Sequence, residues 1–137
     1  MRVFFDTSAF AKRYVQESGS ELVADWCERA DEIGLAAIAL TEIISAFCRL
    51  QREGKISVQQ YQQLKNALLS DIEDAAIADM TPNVIHQAVL SLERNVLRAM
   101  DAIHIGSAVA MQADVFISAD QRQCQAAQRA GLTVVYV

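Results

Sequence analysis

Three apolar residues in succession, Val3-Phe4-Phe5, stop abruptly at Asp6 and run on into Thr7 and Ser8. A run of this kind without alternation fits a strand covered on both faces, as in the interior of a parallel sheet. Asp-Thr-Ser then predicts a turn into a helix. Ligands of open α/β sheets gather at the carboxyl ends of their strands. Asp6 is therefore either a carboxylate delivered to a ligand or a cap that accepts from free backbone N–H groups of the next helix. The choice turns on whether other acids reach the same edge.

The rest of the chain repeats the strand-then-helix pattern. Ala9 to Gln16 and Glu21 to Ala30 read as helices, and Leu35 to Leu40 as a second buried strand, after which Thr41 caps a helix running to about Arg52. Gly54 ends that helix and Ser57 opens another through Tyr61, Leu64 and Leu68, which makes a helical hairpin. Ala75 to Asp79 is a third strand, and Thr81-Pro82 starts a helix that ends near Asn95. Asp101 to Ala113 is helical, Val115 to Ser118 a fourth strand, Asp120 to Ala130 a helix closed by Gly131, and Thr133 to Val137 the last strand. Strands alternating with helices of this length predict an α/β fold, a parallel sheet of about five strands with helices on both faces. With 137 residues, 53% of them hydrophobic, and one proline and five glycines offering no linker, residues 1–137 are expected to form one domain.

Most of the seventeen acids stand in polar company and belong on solvated helix faces. Asp6, Glu42 and Asp101 interrupt apolar runs instead, and an ionised carboxylate in such surroundings needs compensation. Asp6 follows strand one, Glu42 opens the helix after strand two, and Asp120 stands just beyond strand four. Asp101 joins them only if its helix starts at the same upper edge. The helix from Pro82 runs downward, so Arg94 to Met100 must climb back as extended chain, which seven residues at about 3.3 Å each can just do. Four acids at one edge, with no Lys, Arg or His from the same motifs, suit oxygen ligation of Mg²⁺ or Mn²⁺ and phosphodiester hydrolysis. Helix capping remains the alternative for Asp6, Asp101 and Asp120, and a favourable helix-end charge for Glu42.

Phe5-Asp6-Thr7-Ser8-Ala9, Thr41-Glu42, Asp101-Ala102-Ile103-His104-Ile105 and Ser118-Ala119-Asp120, in that order, resemble the PIN-domain ribonucleases, most closely the VapC-like toxins of type II toxin-antitoxin pairs. The likeness covers essentially the whole chain. It implies a three-layer α/β/α sandwich, metal held by Asp6, Glu42 and Asp101 with Asp120 as a fourth acid, and Ser8 and Ser118 as hydroxyls supporting the acids. It further implies RNA as substrate, a homodimer, and inhibition by a cognate antitoxin laid across the acidic groove.

Composition narrows the rivals. A net charge of −5 argues against a general nucleic-acid binder, but gathered carboxylates would themselves make a metallonuclease acidic. Cys27, Cys48 and Cys124 lack a CxxC and fit reduced thiols, and no apolar run is long enough to cross a bilayer, so a cytoplasmic protein is expected. His104 shares a helix face with Asp101 and reads as a hydrogen-bonded structural histidine. Arg49, Arg52 and Lys55 at the hairpin tip, and Lys12 with Arg13, read as solvated charges that are also placed to meet RNA phosphate. The hairpin residues Phe47, Leu50, Tyr61, Leu64 and Leu68 either pack on the sheet or form a dimer face. An aspartyl phosphatase would want a second acid two residues after Asp6, where Ser8 stands. A non-catalytic module binding RNA or protein is the other alternative.

Overall fold

The computed structural model describes Met1–Val137. Strand β1 (Arg2–Phe5) is followed by a short helix α1 (Thr7–Phe10), a 3₁₀ turn (Ala11–Arg13) and α2 (Ser20–Arg29). Then come β2 (Glu32–Ala36), the hairpin α3 (Ala39–Arg52) and α4 (Val58–Asp74), β3 (Ala76–Ala78), α5 (Pro82–Arg94), α6 (Ala99–Ala110), β4 (Val115–Ser118), α7 (Gln121–Arg129) and β5 (Val134–Tyr136). The strands form one parallel sheet in the order β3-β2-β1-β4-β5. As expected, this is an α/β/α sandwich with a five-stranded parallel sheet.

The two-residue period of a strand divides the core between the layers. Val3, Phe5, Leu35, Val115 and Ile117 point to one face, where Phe10, Val23, Ile43, Phe47 and Leu68 from α1–α4 cover them. Phe4, Ala36 and Phe116 point to the other, under Ile105 and Ala108 of α6 and Ala126 and Ala127 of α7. Phe4 and Phe116 stack there with ring centroids 5.9 Å apart. The hairpin packs on the sheet: Phe47 and Leu68 are fully buried, and Tyr61 and Leu64 lie against the same core.

The sequence expectation departs from the structure in four places. The second strand covers Glu32–Ala36, not Leu35 to Leu40, because the apolar run continues through a turn into the buried first turn of α3, where Ala39 is fully covered. Thr41 does not cap α3. It lies inside the first turn and its hydroxyl donates back to the Ile38 carbonyl at 3.0 Å. Ala9 to Gln16 is not one helix but α1 plus the 3₁₀ turn. The connection between α5 and α6 is Asn95 to Arg98, not Arg94 to Met100, since Arg94, Ala99 and Met100 are helical.

A polar clamp joins the first layer's ends. Asp71 of α4 accepts from Arg13 Nε at 2.8 Å and from the Tyr14 hydroxyl at 2.6 Å. Burial pushes the Asp71 carboxyl up, but the bonds from Arg13 and Tyr14 outweigh it and hold it below the ordinary carboxylate range. A carboxyl depressed in the folded state contributes stability above its unfolded pKa and loses it as pH falls through the folded one. Asp71→Asn is therefore expected to destabilise the protein by about 1 kcal/mol at neutral pH, modest because the ion pair is partly exposed. Denaturant unfolding in acid, below the folded pKa, should show the difference vanish.

Candidate active site

The sheet order reverses at β1, whose chain continues outward to β2 on one side while β4 and β5 lie on the other. A crevice opens at the carboxyl end of such a switch point, because the connections leave the two strands in opposite directions. Asp6 ends β1 and Ser118 ends β4, so both stand at that crevice; the register pairs Phe5 with Ile117, and Asp6 N–H donates to the Ile117 carbonyl at 3.1 Å. Glu42 arrives in the first turn of α3, Asp101 in the first turn of α6, and Asp120 precedes α7. Asn95 to Arg98 form a non-helical connection between α5 and α6 with extended backbone at Asn95 and Arg98, shorter than the seven residues expected from the sequence. A cleft of about 240 Å³ is lined by Asp6, Thr7, Ser8, Glu42, Asp101, His104, Asp120 and Gln123, with no apolar wall.

Asp6 is 1% exposed. Its Oδ1 accepts from Ser8 Oγ at 2.7 Å and from Ala9 N–H at 2.9 Å, and its Oδ2 from the Ser118 hydroxyl. Asp6 is thus the cap of α1 as well as a site acid. Burial still pushes its carboxyl above the ordinary range, against the bonds from Ser118, Ser8 and Ala9 and the charge of His104. Asp120 also caps its helix, with Oδ1 accepting from Arg122 N–H at 2.9 Å. Ser118 is fully buried, and Ser8 bridges to Ala119 N–H at 3.0 Å, which ties the ends of β1 and β4 together. Removal of Ser118's hydroxyl strips one donor from a buried carboxylate. Ser118→Ala is expected to lower stability by about 1–2 kcal/mol, checked by thermal unfolding.

Glu42 is held from two sides. Its Oε1 accepts from Thr7 Oγ1 at 2.6 Å and from His104 Nε2 at 2.6 Å. Burial raises the Glu42 carboxyl, but these two partners outweigh it and leave it below the usual range. His104 is buried and its Nδ1 has no partner in the protein, so its one polar link is the Glu42–Thr7 corner. That fits the structural, hydrogen-bonded histidine expected from sequence. Asp101 is raised, first by burial and then by the neighbouring charges of Asp120 and Glu42, with His104 opposing.

No three of the chain's carboxylate, imidazole or thiol side chains converge closely enough to chelate an ion. The arrangement is a set of oxygen donors around a common cleft rather than a preformed chelate. Burial first, and then the charges of Asp120 and Glu42, raise the Asp101 carboxyl, and a bound positive charge would offset both. A hard divalent cation fits that donor set.

Thr7 and Gln123 line the cleft without having been singled out as site residues in the sequence. Thr7 lies in the Asp-Thr-Ser motif, but its bond to Glu42 spans 35 positions and leaves no local trace. Gln123 is three residues after the capping Asp120, where a glutamine ordinarily reaches back to the cap. It turns instead to Asp101, donating from Nε2 to its carbonyl at 3.2 Å and docking the start of α6 on α7.

The PIN domain family profile matches residues 3–129. Solved structures with the same fold include a Mycobacterium tuberculosis toxin, VapC20, described as cleaving the sarcin-ricin loop; it is 16% identical, with 98% of this chain and 99% of that one covered and a TM-score of 0.69. FitAcB from Neisseria gonorrhoeae is 14% identical over 96% and 95% of the two chains, TM-score 0.70. VapBC-5 from M. tuberculosis, of the VapBC family of toxin-antitoxin systems, is 12% identical over 99% and 98%, TM-score 0.68. These identities speak for the fold. A search of curated proteins gave no match.

Proposed function

Because the chain belongs to the PIN-domain family, we propose that it is a metal-dependent endoribonuclease, the toxin of a toxin-antitoxin pair. The carrying observation is the meeting of Asp6, Glu42, Asp101 and Asp120 at the switch point of the sheet, in a cleft without an apolar wall. Asp6, Glu42 and Asp101 would hold Mg²⁺ or Mn²⁺, with Asp120 as the fourth acid orienting water or sharing a second ion. The chemistry such an ion supplies is neutralisation of phosphoryl charge and activation of water near neutral pH.

The chain's own work is positioning. Ser8, Ser118 and the Ala9 amide fix Asp6, while Thr7 and His104 fix Glu42, so neither carboxylate swings when substrate arrives. Gln123 sets the start of α6 and with it Asp101. The toxin reading draws support from the neighbours' descriptions, which include VapBC toxin-antitoxin systems, and extends to a cognate antitoxin and a homodimer as partners. No helix is long and apolar enough to cross a membrane, in keeping with action on cytoplasmic RNA.

Antitoxin-free protein is expected to cleave RNA, to lose cleavage by at least about 100-fold in EDTA, and to regain it with Mg²⁺ or Mn²⁺. Cleavage that persists after chelation would overturn the metal assignment. Absence of cleavage with either ion would leave the acids as a binding surface only.

A further inference from the structure

We propose that Thr7 and His104 are positioning residues that select the ion: by filling Oε1 of Glu42 they leave it one metal-facing oxygen, Oε2, and so favour Mg²⁺ or Mn²⁺ over Ca²⁺. This inference rests on the metal reading above and assigns the choice of ion to two residues outside the set of acids.

An ionised carboxylate oxygen has two lone pairs to offer. On Glu42 both lone pairs of Oε1 are taken, by Thr7 Oγ1 at 2.6 Å and by His104 Nε2 at 2.6 Å, and no donor in the protein reaches Oε2. The same division recurs on Asp6 and Asp120. Oδ1 of Asp6 takes the Ser8 hydroxyl and the Ala9 amide, so a lone pair is left only on Oδ2, beside the Ser118 hydroxyl. Oδ1 of Asp120 takes the amides of Arg122 at 2.9 Å and Gln123 at 3.5 Å, which leaves Oδ2. Each of these acids is therefore restricted to one open oxygen.

That restriction discriminates between ions. Ca²⁺ is large, collects about six to eight oxygens and often takes both oxygens of one carboxylate. Mg²⁺ is smaller, holds octahedral geometry and keeps several waters around one or two carboxylates. Acids that each offer a single oxygen meet the needs of the smaller ion and fall short for the larger.

Glu42 is where the restriction has no other cause. On Asp6 and Asp120 the filled oxygen also caps a helix. Glu42 lies inside the first turn of α3 and caps nothing. Its donors come from other elements, Thr7 at the start of α1 and His104 in α6, and stand 35 and 62 positions away in the chain. His104 is 2% exposed, so water does not stand in for its N–H, and with Nδ1 unpartnered its polar contacts run through Nε2 alone.

Calorimetric titration of the RNA-free protein with Mn²⁺ and with Ca²⁺ tests this. The wild type is expected to bind Mn²⁺ at least about tenfold more tightly than Ca²⁺. Thr7→Val/His104→Leu, which empties Oε1, should weaken Mn²⁺ binding by about 10–100-fold while Ca²⁺ affinity changes by less than about threefold, so that the preference is lost. His104→Gln, whose amide nitrogen stands as many bonds from the backbone as Nε2, should keep the wild-type preference within about threefold. A general loosening of the site would instead weaken both ions alike and would not be reversed by glutamine. Equal losses for the two ions, or a glutamine variant that behaves as the double variant does, overturn the inference. If the double variant fails to fold, Thr7→Val alone, nearly isosteric and at a half-buried position, decides: it should lose at least about threefold of the preference, and wild-type values there overturn the inference. A wild type that binds Ca²⁺ as tightly as Mn²⁺ overturns it too, while the metal reading stands. A wild type that binds neither Mn²⁺ nor Ca²⁺ would remove the reading beneath it.

Discussion

Asp6→Asn is expected to abolish RNA cleavage, by about 10³-fold or more, while leaving the fold as stable as before or more so. The two effects have one origin. Asp6 is almost fully buried, and burial raises its carboxyl despite three donors. For an acid raised in the folded state, stability is fully present below the unfolded pKa and is lost as pH rises through the folded one. At neutral pH the bare charge therefore costs stability. Asparagine keeps the acceptor for Ala9 N–H and removes the charge, and the Ser118 hydroxyl can turn from donor to acceptor toward the amide. The thermal midpoint should stay within about 3 °C of wild type or rise, and the wild type's loss of stability on passing from acid to neutral pH should shrink in the variant. Undiminished cleavage with metal still bound would sink the role given to Asp6. A large fall in midpoint would show that the cap of α1, rather than the charge, is what the site needs from this residue.

How much of this could be read from the chain depends on whether a signal is local. Val3-Phe4-Phe5 marks a doubly buried strand because all three side chains are covered, and Asp6 follows as its end. The apolar run from Leu35 to Leu40 misplaces β2 because it reports burial, and burial continues from the strand through the turn into α3. The strand's true start, Glu32-Ile33-Gly34, reads poorly as β. Glu32 is polar and pairs with Arg2, and Gly34 carries no side chain because the Phe4 ring occupies the space, 2.9 Å from where a Cβ would stand. Asp6, Glu42 and Asp101 were legible as interruptions of apolar runs, and Asp120 by its place just beyond the fourth strand. What fixes them was not: Thr7 to Glu42, Gln123 to Asp101 and Ser118 to Asp6 are contacts across 22 to 112 positions.

Gly106→Ala should be among the most destabilising single-methyl changes in the protein, about 3 kcal/mol and a fall in thermal midpoint of about 10 °C. Two effects oppose each other. Alanine favours a helix over glycine by about 1 kcal/mol, so in an open helix the change would stabilise. At position 106, however, a Cβ would stand 2.6 Å from the Val84 carbonyl oxygen and 2.8 Å from the Ala88 nitrogen. Both are backbone atoms in the body of α5, held by its own hydrogen-bond ladder, and cannot swing aside as a side-chain end would. Nor can α6 retreat, because its opposite face, Ile105 and Ala108, is fully buried against Phe4 and Phe116 of the sheet. Relief requires α5 to lift as a unit, exposing Val84 and Ala88 and pulling on the Asn95 to Arg98 segment that leads to Asp101. The overlap therefore outweighs the propensity gain. Ser107→Ala, one residue on, is the control: its buried hydroxyl has no partner, so its loss should be neutral or slightly stabilising. Well below the lowered midpoint, the Gly106 variant should retain measurable cleavage, since α5 carries none of the four acids. A midpoint within about 2 °C of wild type would mean that α5 is free to yield.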